Sequence, residues 1–202
     1  GSGAYNGDTT GVYFDANFIG YQAGQNDTNA FSSNFIGVQA GKDALNAWES
    51  NFIGLRAGSG ATNANNSNFI GQDAGNGATN ASKATFIGFN AGSSTTGAAD
   101  SVFIGTNAGF NSGAADTSVF SGYNAGNGAT NASASVFLGA NAGLGAVNAI
   151  NGIFLGQSAG DTAVNNYNAT FIGLNAGRDT DGASNSIFLG YGAGDSDTIY
   201  ND

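Results

Sequence analysis

Any reaction chemistry in this chain rests on its carboxylates, because His and Cys do not occur among its 202 residues. Their absence removes the commonest general base, Ser–His and Cys–His nucleophile pairs, and thiolate metal sites. What remains is thirteen Asp and one Glu, Glu49. Glycoside hydrolysis needs two carboxyls about 5–10 Å apart across a groove. Asp100 and Asp116 would near that spacing only if the chain winds with a period close to their separation. Neither has a His, Tyr or Arg beside it in sequence to tune its proton affinity. A calcium roll needs Asp at one fixed place in every turn. The acids hold no such place, and the cluster Asp195, Asp197 and Asp202 reads as a solvated acidic end. The glycines have no Lys-Ser/Thr partner and make no phosphate loop. The expectation is a protein that is not an enzyme and has no metal or cofactor.

What would position such residues is a strict internal repeat. Phe18, Phe35, Phe52, Phe69, Phe86, Phe103, Phe120, Phe137, Phe154, Phe171 and Phe188 follow one another at intervals of seventeen. Taking Phe as position 1, position 2 is Ile or Leu except at Ser121. Gly holds position 3 and Ala-Gly holds positions 6 and 7 in all eleven copies. Position 13 is Ala except at Asn166, position 12 is Asn in seven copies, and position 16 is always small. Residues 1–17 keep only Gly3 and Gly7 in register and read as a degenerate N-terminal coil, a terminal cap. Residues 18–202 read as eleven repeats, the last truncated, in one domain with no linker.

Seventeen residues are too few for a helical hairpin repeat, and at least two glycines per unit oppose helix. Segments such as Ser101-Val102-Phe103-Ile104 are strand formers. A constant coil length stacks equivalent residues about 4.8 Å apart. The fold class expected is all-β: a parallel β-solenoid (β-roll) with 17-residue coils. The 15 Phe in such a register argue against disorder, despite 35 Gly and only 9% charged residues.

Neighbours in a strand point to opposite faces, so Phe at position 1 and Ile/Leu at position 2 make both faces apolar. A lone thin coil would leave one ladder in water, a stripe beyond what monomers usually expose. A homo-oligomer is therefore expected, with one ladder inside the coil and the other between chains. Small residues suit a narrow coil, so Ile/Leu and the alanines are placed inside and the Phe ladder between subunits. The net charge of −10, with only Lys42, Arg56, Lys83 and Arg178 positive, disfavours nucleic acid and anionic membrane as partners. No apolar run reaches the ~18 residues of a membrane span, so no membrane insertion is expected.

The segments SVFIGTNAG (101–109), SVFLGANAG (135–143) and SNFIGVQAG (33–41) resemble the head repeats of YadA-type trimeric autotransporter adhesins. They are also similar to Phe-Ile-Gly-x-x-Ala-Gly repeats of phage and bacterial tail-fibre proteins. The likeness covers residues 17–194. It implies a homotrimer of parallel solenoids forming an extracellular fibre or adhesin head, on a bacterial surface or a virion. A surface glycan or protein receptor would be its further partner.

Two other columns bear on recognition. Asn90, Asn107, Asn124, Asn141 and Asn175 share position 5 and are expected to stack their amides along the axis. The alternative is a polar face for ice or carbohydrate. Position 11 offers Thr28, Thr62, Thr79, Thr96 and Thr130 to ice, with interruptions at Leu45, Gly113, Val147, Val164 and Asp181. Trp48 and Tyr167, both at position 14, would stack on sugar rings if exposed. Packing against a neighbouring chain is the preferred reading of that pair.

Overall fold

The computed structural model describes residues 16–196. Eleven three-residue strands, from β1 (Asn17–Ile19) to β11 (Ile187–Leu189), form one parallel sheet in chain order. Each strand pairs with the next at an offset of one repeat, so Phe35 lies on Phe52 and Phe52 on Phe69. A second line of parallel bridges runs down position 11, from Thr28 through Leu45 and Thr62 to Asp181. The chain is an all-β parallel solenoid with seventeen residues per turn. Of the degenerate first coil, residues 1–15 lie outside the described part, as do residues 197–202 with Asp197 and Asp202.

Most backbone partners lie along the axis, in the next coil, and a few longer turn bonds such as Ala40 N–H to Gly37 O at 3.4 Å close within a coil. Between the second and third coils, for example, Gly41, Leu45 and Asn51 donate to Ala57, Ala61 and Ser67. Gly54, Arg56, Gly60, Asn63 and Asn66 donate back to Ile36, Val38, Lys42, Leu45 and Trp48. All these bonds are 2.7–2.9 Å long. Closing a turn in so few residues requires left-handed backbone at positions 5, 9, 12 and 15, with φ near +55° in most coils. Asn tolerates that conformation better than other residues with a side chain. The Asn columns at positions 5 and 12 thus answer a backbone demand as well as stacking their amides.

Two glycine columns are set by close approach. At position 3, a Cβ on Gly54 would sit 2.4 Å from the carbonyl oxygen of Gly71 in the next coil. At position 7, a Cβ on Gly58 would sit 2.3 Å from the ring of Phe52 in its own coil. Both residues also have positive φ, +139° and +64°.

The Phe ring lying over the glycine at position 7, as Phe52 over Gly58, shows which ladder faces in, and it reverses the expectation. Phe35 to Phe171 are fully buried, together with the alanines at positions 6, 10 and 13. The Ile/Leu column points outward: Ile36 is 37% exposed and Ile104 42%. Phe is the better interior residue because a planar ring matches the rise between coils. Successive rings stack at 4.6–5.1 Å between centroids, and most are within 11° of parallel. In five of the ten complete coils one flat ring and three methyl groups fill the section; in the others Asp27, Thr95, Ser112, Asn166 or Thr180 replaces one alanine. A β-branched Ile is bulky in every direction and cannot lie flat in so thin a layer.

The small residue at position 16 has a bonding role that its size alone does not reveal. Ser33 Oγ donates to the Ala47 carbonyl at 2.8 Å and accepts from the Ser50 N–H at 3.1 Å. Ser50, Ser101, Ser118 and Ser135 repeat the pattern. A buried hydroxyl thus satisfies backbone groups of the following coil. Two other inward polar residues also bond to the following coil. Thr95 Oγ1 bonds Ser112, and Asn166 Oδ1 accepts from Ala183 N–H.

Candidate interaction face

The carboxylates proposed for chemistry are occupied by structural partners. Asp116 Oδ1 accepts from the Ala99 N–H at 2.8 Å, and Asp100 faces Lys83 at 3.8 Å. Asp195 is held by the Arg178 guanidinium through both oxygens. Arg56 grips Asp73 in the same bidentate way, one coil on. Lys42 pairs with Asp43 at 2.7 Å. All four cations of the chain are therefore neutralised by an adjacent acid. Burial pushes the Asp73 carboxyl up, but hydrogen bonds from Arg56, Gln72 and Asn76 and the charge of Arg56 outweigh it, leaving its pKa lowered. Hydrogen bonds from Lys42 and Asn26 lower that of Asp43. Asp161 is the opposite case: burial and the charge of Asp179 raise it against Arg178. Among the described residues no group of three or more acidic side chains is placed to hold a metal ion.

The aromatic residues of position 14 stack within the chain. Phe31 and Trp48 are parallel within 5°, with centroids 5.7 Å apart. One face of the Trp48 ring is therefore covered by its own chain. Tyr167 is 39% exposed, seven coils further along the same column. The structure does not bring the two together into one site. The Asn ladder of position 5 is present over four coils: Asn90, Asn107, Asn124 and Asn141 pass amide bonds of 3.0–3.2 Å along the axis, and Ser158 separates Asn175 from them.

The distinctive surface lies on the outer side of the sheet. Position 2 is flanked there by position 17, two residues earlier on the same side of the strand, and by position 4, just past the glycine bend. Position 2 is Ile or Leu in ten of eleven coils. Position 4 contributes Tyr21, Val38, Leu55, Phe89, Tyr123, Leu174 and Tyr191, all exposed, and is polar at Gln72, Thr106 and Gln157. Position 17 changes along the rod, from Asn17, Asn34, Asn51 and Asn68 to Val102, Val119, Val136 and Ile153. None of the residues in these three columns is charged, although the chain has 18 charged residues. A signal for this face was available in the sequence as the absence of charge from three neighbouring columns. It becomes visible only once position 2 is known to point out. Comparison with known protein families finds no match to this chain, and comparison with curated proteins finds none either.

Proposed function

We propose that the chain is a structural and adhesive segment of an extracellular fibre, a rigid self-associated rod on a bacterial surface or virion. The observation that carries this reading is an unbroken solenoid with an uncharged outer side, carrying Ile or Leu at position 2 in ten of eleven coils. A continuous stack of buried rings and axis-parallel hydrogen bonds suits a stiff spacer. An apolar side of that length suits assembly with further copies. The likeness to YadA-type head repeats and tail-fibre repeats supports the same reading and favours three chains side by side. The polar sides, with their amide ladders, would face a surface glycan or protein receptor. Light scattering on the purified chain tests this, with a trimer expected. A monodisperse monomer at high concentration sinks the reading.

A second reading, binding of ice or carbohydrate, is favoured by one feature. Thr62, Thr79 and Thr96 follow one another in register down position 11 on adjacent coils. Thermal hysteresis lost on substituting these threonines supports it; no hysteresis and a blank glycan array remove it.

A further inference from the structure

Position 4 carries four exposed rings, Tyr21, Phe89, Tyr123 and Tyr191, and every interval between them is an even number of coils: four, two and four. We propose that the stretch from Phe89 to Tyr123 is a binding site for a linear, neutral polysaccharide of β-1,4-linked hexopyranoses lying along the rod axis. The inference rests on the reading of the chain as an adhesive segment and adds where a glycan binds and of which class.

Spacing selects the ligand. Two coil rises, of 4.8 and 4.7 Å between core rings, separate Phe89 from Tyr123. Rings that far apart do not stack on each other, whereas Phe31 and Trp48, one coil apart, do. Neither ring is therefore covered by the other, and the two are 45% and 57% exposed. A hexopyranose residue in an extended β-1,4 chain is nearly as long as one coil is thick. Such a chain is a two-fold ribbon, so every second sugar presents the same face in the same direction. One sugar then stacks on Phe89 and the next but one on Tyr123, with the intervening sugar over the short side chain of Thr106. An extended peptide advances about 3.3 Å per residue and falls out of step with the coils. Nucleic acid is disfavoured by the net charge of −10.

The neighbouring column supplies the polar contacts. In these coils each residue at position 4 is followed by an Asn, and Asn90, Asn107, Asn124 and Asn141 form the amide ladder of position 5. An amide has two N–H groups, and Asn90, Asn107 and Asn124 each give one to the ladder. The second recurs once per coil beside the rings. Along either edge of a β-1,4 chain a hydroxyl or hydroxymethyl oxygen recurs once per sugar, so donors and acceptors keep step. The ladder holds this row in place before a ligand arrives. From Phe89 to Asn141 positions 4 and 5 carry no charge, and Arg56 and Asp73, bound to each other, stand in the coils before. An acidic glycan would meet no counter-charge here within a chain of net charge −10, so the match is to a neutral one.

Isothermal titration with cellohexaose, a β-1,4-linked glucose hexamer, tests this on the chain in its own oligomeric state. Binding is expected, weakened about tenfold by Phe89→Ala or Tyr123→Ala and kept by Tyr123→Phe. Cellobiose, too short to reach from one ring to the other, should bind about tenfold more weakly than the hexamer. Maltohexaose, whose α-1,4 links curl the chain, should bind no better than cellobiose. Chitohexaose, the N-acetylated counterpart, is titrated alongside and tells which of the two β-1,4 backbones the site prefers. No binding of either β-1,4 hexamer, or binding indifferent to both alanine substitutions, overturns the proposal. So does a loss on Trp48→Ala in place of Tyr123→Ala, which would put the sugar on position 14. Light scattering of the Phe89→Ala, Tyr123→Ala double variant should give the mass of the unsubstituted assembly. A fall in mass shows that position 4 is buried between copies and overturns the site. A chain that assembles without binding either hexamer keeps the rod and loses the site; a monomer that binds cellohexaose keeps the site and loses the rod.

Discussion

Phe103 and Ile104 are neighbours in one strand, yet the first is sealed in the coil and the second is 42% exposed. The inward columns answer to one another: ring to ring, ring to Gly109, Ser101 hydroxyl to the next coil. The outward columns answer to nothing within the chain except their own copies one coil away. Tolerance to change should follow that division. The interior is closely packed, and a missing methylene is felt there. The outer side is free to vary until another molecule covers it.

Breaking the interior should cost most. Phe103→Ala leaves a hole in the ring stack and is expected to destabilise by about 3–5 kcal/mol, read by chemical denaturation. A loss under about 1 kcal/mol would show that the coil collapses around the gap and that the contrast is overdrawn. Gly109→Ala comes next. Its new Cβ meets the Phe103 ring at 2.3 Å and the backbone stays left-handed at +63°. Strain of about 1–2 kcal/mol from the backbone adds to overpacking of about 1–3 kcal/mol. Thermal melts of Gly109→Ala beside Gly60→Ala separate the two costs, because Gly60 is left-handed with open space around it.

Acid should produce a smaller change, with opposite signs at two carboxylates. The lowered pKa of Asp73 gives stability that is present above the unfolded value of about 3.9 and is lost as pH falls below it through the folded one. Asp161, raised by burial, opposes folding at neutral pH and stops doing so as pH falls through its raised value. Melting curves between pH 3 and 6, values chosen to bracket ~3.9, should therefore flatten at the acid end in Asp73→Asn. Asp161→Asn should be the more stable chain at neutral pH. The least effect on folding is expected from Ile104→Thr, within about 0.5 kcal/mol once copies are kept apart by dilution. A cost near that of Phe103→Ala would erase the distinction between the faces.

The coil, its period and its strand were legible because Phe, Gly and Ala recur without a slipped residue from Phe18 to Gly194. Which ladder turned inward was not. Alternation says that Phe and Ile face opposite ways, but not which way is in. That depends on the layer being thin, where a flat ring beats a branched chain. The Ser column at position 16 was legible as small but not as a set of hydroxyls bonded to the next coil. Trp48 reads in the sequence with Tyr167 as a ring for sugar or a neighbouring chain, whereas its partner is Phe31, one period earlier, a relation that only the stacked coils make physical. The uncharged side was written in the sequence, but in columns whose adjacency depends on knowing where the backbone bends.

The hydrogen bonds that point along the axis also decide how the rod would bear load. Under tension from its ends, all bonds between two coils share the force at once, while successive coil junctions carry it one after another. Strength is then that of the weakest junction, whatever the length. The structure has a candidate near the middle. The amide ladder of position 12 stops at Asn80 and resumes at Asn131, with Gly97 and Ala114 between. There Ala114 and Thr117 are held at left-handed φ of 45° and 57°, which suits neither residue. Residues 97–131 nonetheless trade the position-12 ladder for that of position 5, which runs from Asn90 to Asn141 across the same coils, so neither half of the rod is left without an amide ladder to share the load.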